Sequence, residues 1–170
     1  FMFMESGFNG NISSWNVSSV TEMNGLFKLT TNFNQDLSSW DVTSVTNMSR
    51  MFEDADLFNS DISNWNVSNV TNMWGMFLNA ESFDQDISSW DVSNVTHFND
   101  IFVGASSLSD EIKCNIQTSW STNENWSYDF SSFCNEPPVV EDMEIALDED
   151  MEYAGVLIGS DPDVDDVLSY

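Results

Sequence analysis

Large apolar residues recur along this chain at intervals of 25 residues, and polar residues recur between them with the same period. The clearest columns are Trp15, Trp40, Trp65 and Trp90; Phe8, Phe33, Phe58 and Phe83; Ile12, Leu37, Ile62 and Ile87; Val17, Val42, Val67 and Val92; and Phe27, Phe52, Phe77 and Phe102. Such a period is typical of repeat proteins, in which each unit buries its apolar face against its neighbours. The sequence therefore predicts about four stacked units over residues 1–108.

Two shorter periods lie within each unit, and they predict its secondary structure. Trp65 and Val67 alternate with polar neighbours, as in a half-buried strand, and a segment with helical spacing follows: Val70, Met73, Met76, Phe77 and Ala80. Good N-cap residue types precede this segment in every unit: Ser19, Ser44, Asn69 and Asn94. The predicted fold class is an α/β repeat, a leucine-rich-repeat-like solenoid with a short strand and a short helix per unit. An all-β solenoid with turns in place of the helices is the alternative.

The repeated residues also carry a resemblance to a known family. The run W-[ND]-V-[ST]-x-V-T-x-M-x-x-[ML]-F, preceded by F-N-x-D-[IL]-S, resembles the BspA-type leucine-rich surface-protein repeat. The likeness covers roughly residues 1–135. It implies an extracellular or cell-surface location and adhesion to a protein or glycan, and it implies no catalytic residue.

The repeat pattern ends after Leu108, and residues 109–135 are predicted to cap the open end of the solenoid. Ser109, Asp110 and Glu111 form a good helix start. Aromatic residues that follow supply bulk for the last layer of the core: Trp120, Trp126, Tyr128, Phe130 and Phe133.

Cys114 and Cys134 are the two cysteines of the chain, and both lie in this cap. In a surface-type protein such a pair is expected to form a disulfide. Closing a loop of that size stabilises the fold by roughly 3 kcal/mol. A metal pair or a redox pair is the alternative, although neither cysteine has a histidine nearby or forms a C-x-x-C motif.

A second module is predicted after the cap. Residues 136–140 begin Glu-Pro-Pro and are interpreted as a linker. Residues 141–170 resemble the start of a cadherin-like β-sandwich, cut short, so we expect the chain to be a segment of a longer protein. An aspartate run within it is a candidate calcium site, with a solvated acidic turn as the alternative: Asp161, Asp163, Asp165 and Asp166.

The net charge of −26 limits the partners of this chain. Its 29 acids face only Lys28, Arg50 and Lys113. Such a charge repels phosphate, so nucleic acid and anionic membrane surfaces are not expected partners. We also find no apolar run long enough to span a membrane.

The polar positions around the tryptophans are the candidate ligand-binding face. They recur in register on the predicted strands: Asn16, Asp41, Asn66 and Asp91, with Asn64, Ser39 and Ser89 beside them. We predict a non-enzymatic adhesion module that presents this face to a protein or glycan. The alternatives are a purely structural spacer and a face whose alternating charge only relieves repulsion.

Overall fold

The computed structural model describes residues 2–134, 139–140 and 159–160. Within them lie one α-helix, α1 (Asp110–Trp120), a 3-10 helix (Ser131–Phe133) and two short strands, β1 (Val139–Val140) and β2 (Gly159–Ser160). β1 pairs with β2 antiparallel, Val139 opposite Ser160. The chain divides into two compact units, Phe1–Phe133 and Cys134–Tyr170.

The repeated part of the first unit is a stack of layers, each formed by one 25-residue repeat. Equivalent phenylalanines lie face to face in neighbouring layers, with ring centroids 5.6 Å apart for Phe27 and Phe52 and 5.7 Å apart for Phe52 and Phe77. Trp65 and Trp90 stack at 6.3 Å. Trp40, Trp65 and Trp90 are each only 4% exposed. Equivalent side chains of neighbouring layers are therefore in contact.

The predicted α/β fold class is wrong, because the layers contain neither the strand nor the helix. Successive layers share only isolated parallel bridges, Glu22 with Asn47, Asn47 with Asn72, and Asn72 with His97. Around Trp65 the backbone instead forms short turns of its own, in which Trp65 N–H donates to the Ile62 carbonyl. The resemblance to a β-sandwich is also wrong, because the described residues beyond the cap form only the β1–β2 pair.

Left-handed residues explain why the segment with helical spacing does not form a helix. Each layer has two residues with positive φ, four positions apart, such as Arg50 (56°) and Asp54 (55°), or Gly75 (59°) and Asn79 (56°). A left-handed residue interrupts a right-handed helix. The backbone N–H groups of this segment therefore alternate between two kinds of acceptor. The Phe27 N–H donates to the Met51 carbonyl in the next layer, whereas the N–H groups of its neighbours donate to the carbonyl three residues earlier in their own layer. The apolar spacing is thus produced by turns rather than by helical periodicity.

The predicted N-cap residues connect layers instead of starting helices. Asn69 and Asn94 donate through Nδ2 to the carbonyls of Thr43 and Ser68 in the preceding layer, both at 2.8 Å. Ser44 Oγ donates to the Ser18 carbonyl at 2.7 Å. These side chains donate to backbone carbonyls that would accept from a neighbouring strand in a β-sheet. Side-chain hydrogen bonds therefore connect the layers where backbone bonds between strands are missing.

The cap follows the last layer. α1 begins at Asp110, directly after Ser109, as the sequence predicts, and it buries Ile116 and Trp120. The Trp120 ring stacks on Trp90 at 6.4 Å and thereby continues the tryptophan column. Its Nε1 has no hydrogen-bond partner within the described part of the chain. Cys114 and Cys134 form a disulfide, which confirms that prediction.

Candidate functional site

Four equivalent side chains form an exposed polar row along the stack, one per layer: Asn16, Asp41, Asn66 and Asp91. The Oδ1 atom of each accepts a backbone N–H two residues later; the distance is 3.1 Å from Thr43 to Asp41 and 3.0 Å from Ser93 to Asp91. Such Asx turns fix the side chain against its own backbone. The row therefore presents carboxylate and carboxamide groups in a set orientation.

The other predicted face residues connect the layers. Asn64 Nδ2 donates to the Ser38 carbonyl at 2.8 Å, and Ser39 Oγ donates to the Ser13 carbonyl at 2.6 Å. Ser89 Oγ lies 3.4 Å from the carbonyl oxygen of Ser63. The structure thus places Asn64, Ser39 and Ser89 beside the polar row, where their principal contacts hold neighbouring layers together.

Hydrogen bonds keep the carboxylates of the row ionised. The pKa of Asp41 lies below its ordinary value because Thr43 donates to it through its side chain and its backbone. Ser93 lowers the pKa of Asp91 in the same two ways. A parallel acidic column makes similar turns, since Asp36 and Asp61 accept the N–H groups of Ser38 and Ser63, both at 2.9 Å. The pKa values of these two carboxyls are lowered as well.

The polar row ends in an open groove of about 550 Å³ between the last layer and the cap. One wall belongs to the last layer and the other to the end of α1 and the turn after it. Its lining residues are Ser88, Trp90, Asp91, Val92, Ser93, Ser119, Thr122, Asn123, Glu124 and Asn125. Hydroxyl, amide and carboxylate groups dominate this lining, so the groove suits a neutral or cationic polar ligand.

Asn123 fixes the cap wall of this groove. Its Nδ2 donates to two carbonyls of the last layer, Val92 at 2.8 Å and Val95 at 2.9 Å. The sequence predicts the polar row but not the groove, because residues 119–125 belong to no repeat. The nearest signal is the asparagine-rich run at positions 123–125, which breaks the helical pattern of α1.

The remaining sequence-based candidates concern metal binding and membrane insertion. The four aspartates of the candidate calcium site, Asp161, Asp163, Asp165 and Asp166, lie outside the described residues. Among those described, no three His, Cys, Asp or Glu side chains are grouped to hold a metal ion. Nor does any helix of the described segments have the length and apolar character needed to cross a bilayer.

Comparison with known proteins corrects the resemblance drawn from the repeat. The sequence matches no curated protein and no solved structure at a significant level. A family model described as "Mycoplasma protein of unknown function, DUF285" matches residues 1–73 and 42–137. The assignment to BspA-type leucine-rich repeats is therefore wrong, in agreement with layers that have no strand and no helix. Because the matched residues make up most of the 170-residue sequence, the chain belongs to the DUF285 family.

Proposed function

We propose that this chain is a non-enzymatic binding module of the cell surface that presents its polar row and end groove to an extracellular protein or glycan. The observation that carries the proposal is the set of four equivalent Asx turns, which hold Asn16, Asp41, Asn66 and Asp91 exposed along one line. Its family is a surface-associated one of unknown function, which supports the location.

The regular spacing of the row favours binding through several weak contacts. Neighbouring layers are held by stacked rings and by hydrogen bonds between layers, so the row is a preorganised surface. Contacts that are formed together on such a surface add their effects without each paying the full entropic cost of association. Linear polymers with repeated polar groups, such as glycan chains, match this geometry.

The arrangement of the acids supports a binding role over a catalytic one. Catalysis by carboxylates needs an acid and a base with different environments that converge on one point. Here the carboxylates of the row recur in one column, and Asp41 and Asp91 accept the same kind of hydrogen bonds and have the same direction of pKa shift. His97 contacts the Thr96 hydroxyl at 2.8 Å on the exposed surface.

The test is binding of the chain to glycan and matrix-protein arrays, followed by affinity measurements on variants that keep the turns. Asn16 and Asn66 show that an amide oxygen supports the same turn, so Asp41→Asn together with Asp91→Asn removes charge without removing the fold. We expect at least a tenfold loss of affinity. Ser93→Trp, which fills the groove, should also weaken binding.

Asp129→Asn is the matched control, because Asp129 accepts the Ser131 N–H at 3.0 Å in the same kind of turn outside the row. Its affinity should equal that of the unaltered chain. Equal affinity of the Asp41/Asp91 variant would refute the row as the ligand face. Absence of any ligand on both arrays would favour the spacer role instead.

A further inference from the structure

One region of the stack departs from the repeat, and it gathers most of the positive charge of the chain. The departing positions lie in the left-handed turns, where two layers carry glycine and the other two carry Arg50 and Asp100. Side chains from four successive layers meet there in one cluster, which we call the cross-layer cluster: Lys28, Arg50, Glu53, Trp74 and Asp100. Two of the three basic residues in a chain of net charge −26 belong to it.

Glu53 is the centre of this cluster. It is 8% exposed, and no other acidic residue is buried among those described. Lys28 Nζ lies 2.9 Å from Glu53 Oε1, and Arg50 Nε lies 3.4 Å from Glu53 Oε2. One buried carboxylate thus holds two bases, and with Asp100 the two acids and two bases of the cluster balance within an otherwise strongly acidic chain.

Arg50 occupies a backbone position at which glycine stands in two of the other layers. Its φ is 56°, and the equivalent Gly25 and Gly75 adopt 60° and 59°. A residue with a Cβ is disfavoured there, and Asp100 adopts the same conformation in the fourth layer, with a φ of 58°. The Arg50 side chain packs against Gly75 of the next layer, where an added Cβ would lie at an ordinary contact distance of 3.5 Å from Arg50 Cγ.

The guanidinium of Arg50 is stacked on an aromatic ring and remains partly exposed. Its Cζ lies 3.9 Å from the centroid of the Trp74 ring, and the Trp74 Nε1 donates to Asp100 Oδ2 at 3.2 Å, which fixes the ring. Arg50 Nε is buried and faces Glu53 Oε2 at 3.4 Å in an ion pair that does not have hydrogen-bond geometry. The Arg50 side chain is nevertheless 38% exposed. Arginine presents its donors as a planar fork, which matches a carboxylate.

A cavity of about 290 Å³ opens beside this guanidinium. It is lined by Met4, Asn24, Lys28, Ser49, Arg50 and Trp74. Lys28 and Arg50 supply the charge, whereas Met4 and Trp74 supply apolar surface. We propose that this cavity is a binding site for the carboxylate of a peptide, at its C-terminus or on an acidic side chain, with an apolar group next to the carboxylate.

The surrounding charge favours a single carboxylate over a phosphate. Glu53 and Asp100 are members of the cluster and balance the charge of its two bases, and the rest of the chain is strongly acidic, so a dianion meets more repulsion than a monoanion. The exposed Trp74 ring, at 39% exposure, offers a stacking surface for the apolar group. The site is independent of the polar row, since the two share no residue.

The test is a titration of the whole chain with N-acetylphenylalanine, which joins one carboxylate to one aromatic ring. The readout is the indole N–H resonance of Trp74 in a ¹H–¹⁵N spectrum, assigned with Trp74→Phe. We expect a saturable shift with the acid and none with N-acetylphenylalanine amide. Arg50→Lys keeps the charge but removes the fork, and it should weaken binding at least tenfold. Lys28→Gln, the second variant, should weaken it several-fold.

Asp91→Asn is the matched control, because it alters the polar row alone and should leave the titration unchanged. The proposal is overturned by an equal shift with the amide, by unchanged affinity in folded Arg50→Lys, or by a shift with glucuronate but not with N-acetylphenylalanine. The last result would assign the site to an acidic sugar. Because this probe needs no surface ligand, its outcome is distinct from that of the array screen.

Discussion

The indole Nε1 of Trp65 donates a hydrogen bond to the carbonyl oxygen of Leu37, 3.0 Å away and 28 residues earlier in the chain. Trp40 and Trp90 make the same bond to Ile12 and Ile62, at 3.1 and 3.2 Å. Each tryptophan therefore reaches into the preceding layer, although no strand ladder runs there. The repeated tryptophan is both a core side chain and a connector between layers.

Trp65→Phe should cost about 3 kcal/mol of unfolding free energy. The substitution keeps an aromatic ring in the column, but it leaves the buried Leu37 carbonyl with only the Trp40 N–H as donor and removes part of a side chain that is 4% exposed. Urea denaturation followed by far-UV circular dichroism measures the change. Trp15→Phe is the matched control: Trp15 is 42% exposed in the first layer, and its loss should cost less than about 1 kcal/mol. Equal costs would show that the indole bond does not hold the layers.

The sequence predicts the columns but not the backbone that carries them, and the glycines show why. Val70, Met73, Met76 and Phe77 have helical spacing, yet a chain of turns places side chains inward at the same intervals. Gly75 lies in the middle of that segment, and glycine there weakens a helix prediction. Arg50 adopts the same left-handed conformation without any such signal. The end groove was unpredictable for another reason, since it depends on where the cap lies against the last layer.

Gly75→Ala should destabilise the stack by about 1–2 kcal/mol, because its φ of 59° is unfavourable for a residue with a Cβ. Space is not the cause, since the added Cβ would make only ordinary contacts, the nearest at 3.5 Å. Thermal unfolding of the variant measures the effect. Gly7→Ala is the comparison, because nothing lies within 4 Å of its added Cβ and its φ is not positive. If residue 75 lay in a helix, Gly75→Ala would instead stabilise the protein, and that result would contradict the left-handed turn.

The aspartate turns should lose their contribution to stability in acid. The pKa values of Asp36, Asp41, Asp61 and Asp91 lie below the ordinary value of 3.8 because side-chain and backbone donors stabilise their charged forms. A carboxyl with a lowered folded-state pKa stabilises the fold above its unfolded pKa, and this contribution disappears as the pH falls through the folded value. We expect the melting temperature to fall as the pH drops below about 4.

Replacing these four aspartates by asparagine should reduce the fall in melting temperature at acid pH, while the protein stays folded at pH 7. The natural precedent is Asn11, whose Oδ1 accepts the Ser13 N–H at 2.9 Å in the position equivalent to Asp36. Alanine at the same four sites removes the acceptor, so it should lower the melting temperature at every pH. The measurement is a series of melting curves from pH 2 to pH 7. If the melting temperature of the asparagine variant falls with pH as it does in the unaltered chain, groups other than these aspartates cause the acid destabilisation.

The disulfide should stabilise the closed end of the stack by about 3 kcal/mol. It joins Cys114 in α1 to Cys134, and α1 buries Trp120 against Trp90 and Phe102, with ring centroids 6.4 and 6.1 Å apart. Loss of the crosslink lets α1 open, which exposes Trp120 and the last layer to water. Cys114→Ser with Cys134→Ser should lower the urea midpoint and shift tryptophan emission to longer wavelength before global unfolding. Dithiothreitol should reproduce both changes in the unaltered chain and none in the double variant. Identical midpoints with and without reductant would show that packing of Trp120 alone holds the cap.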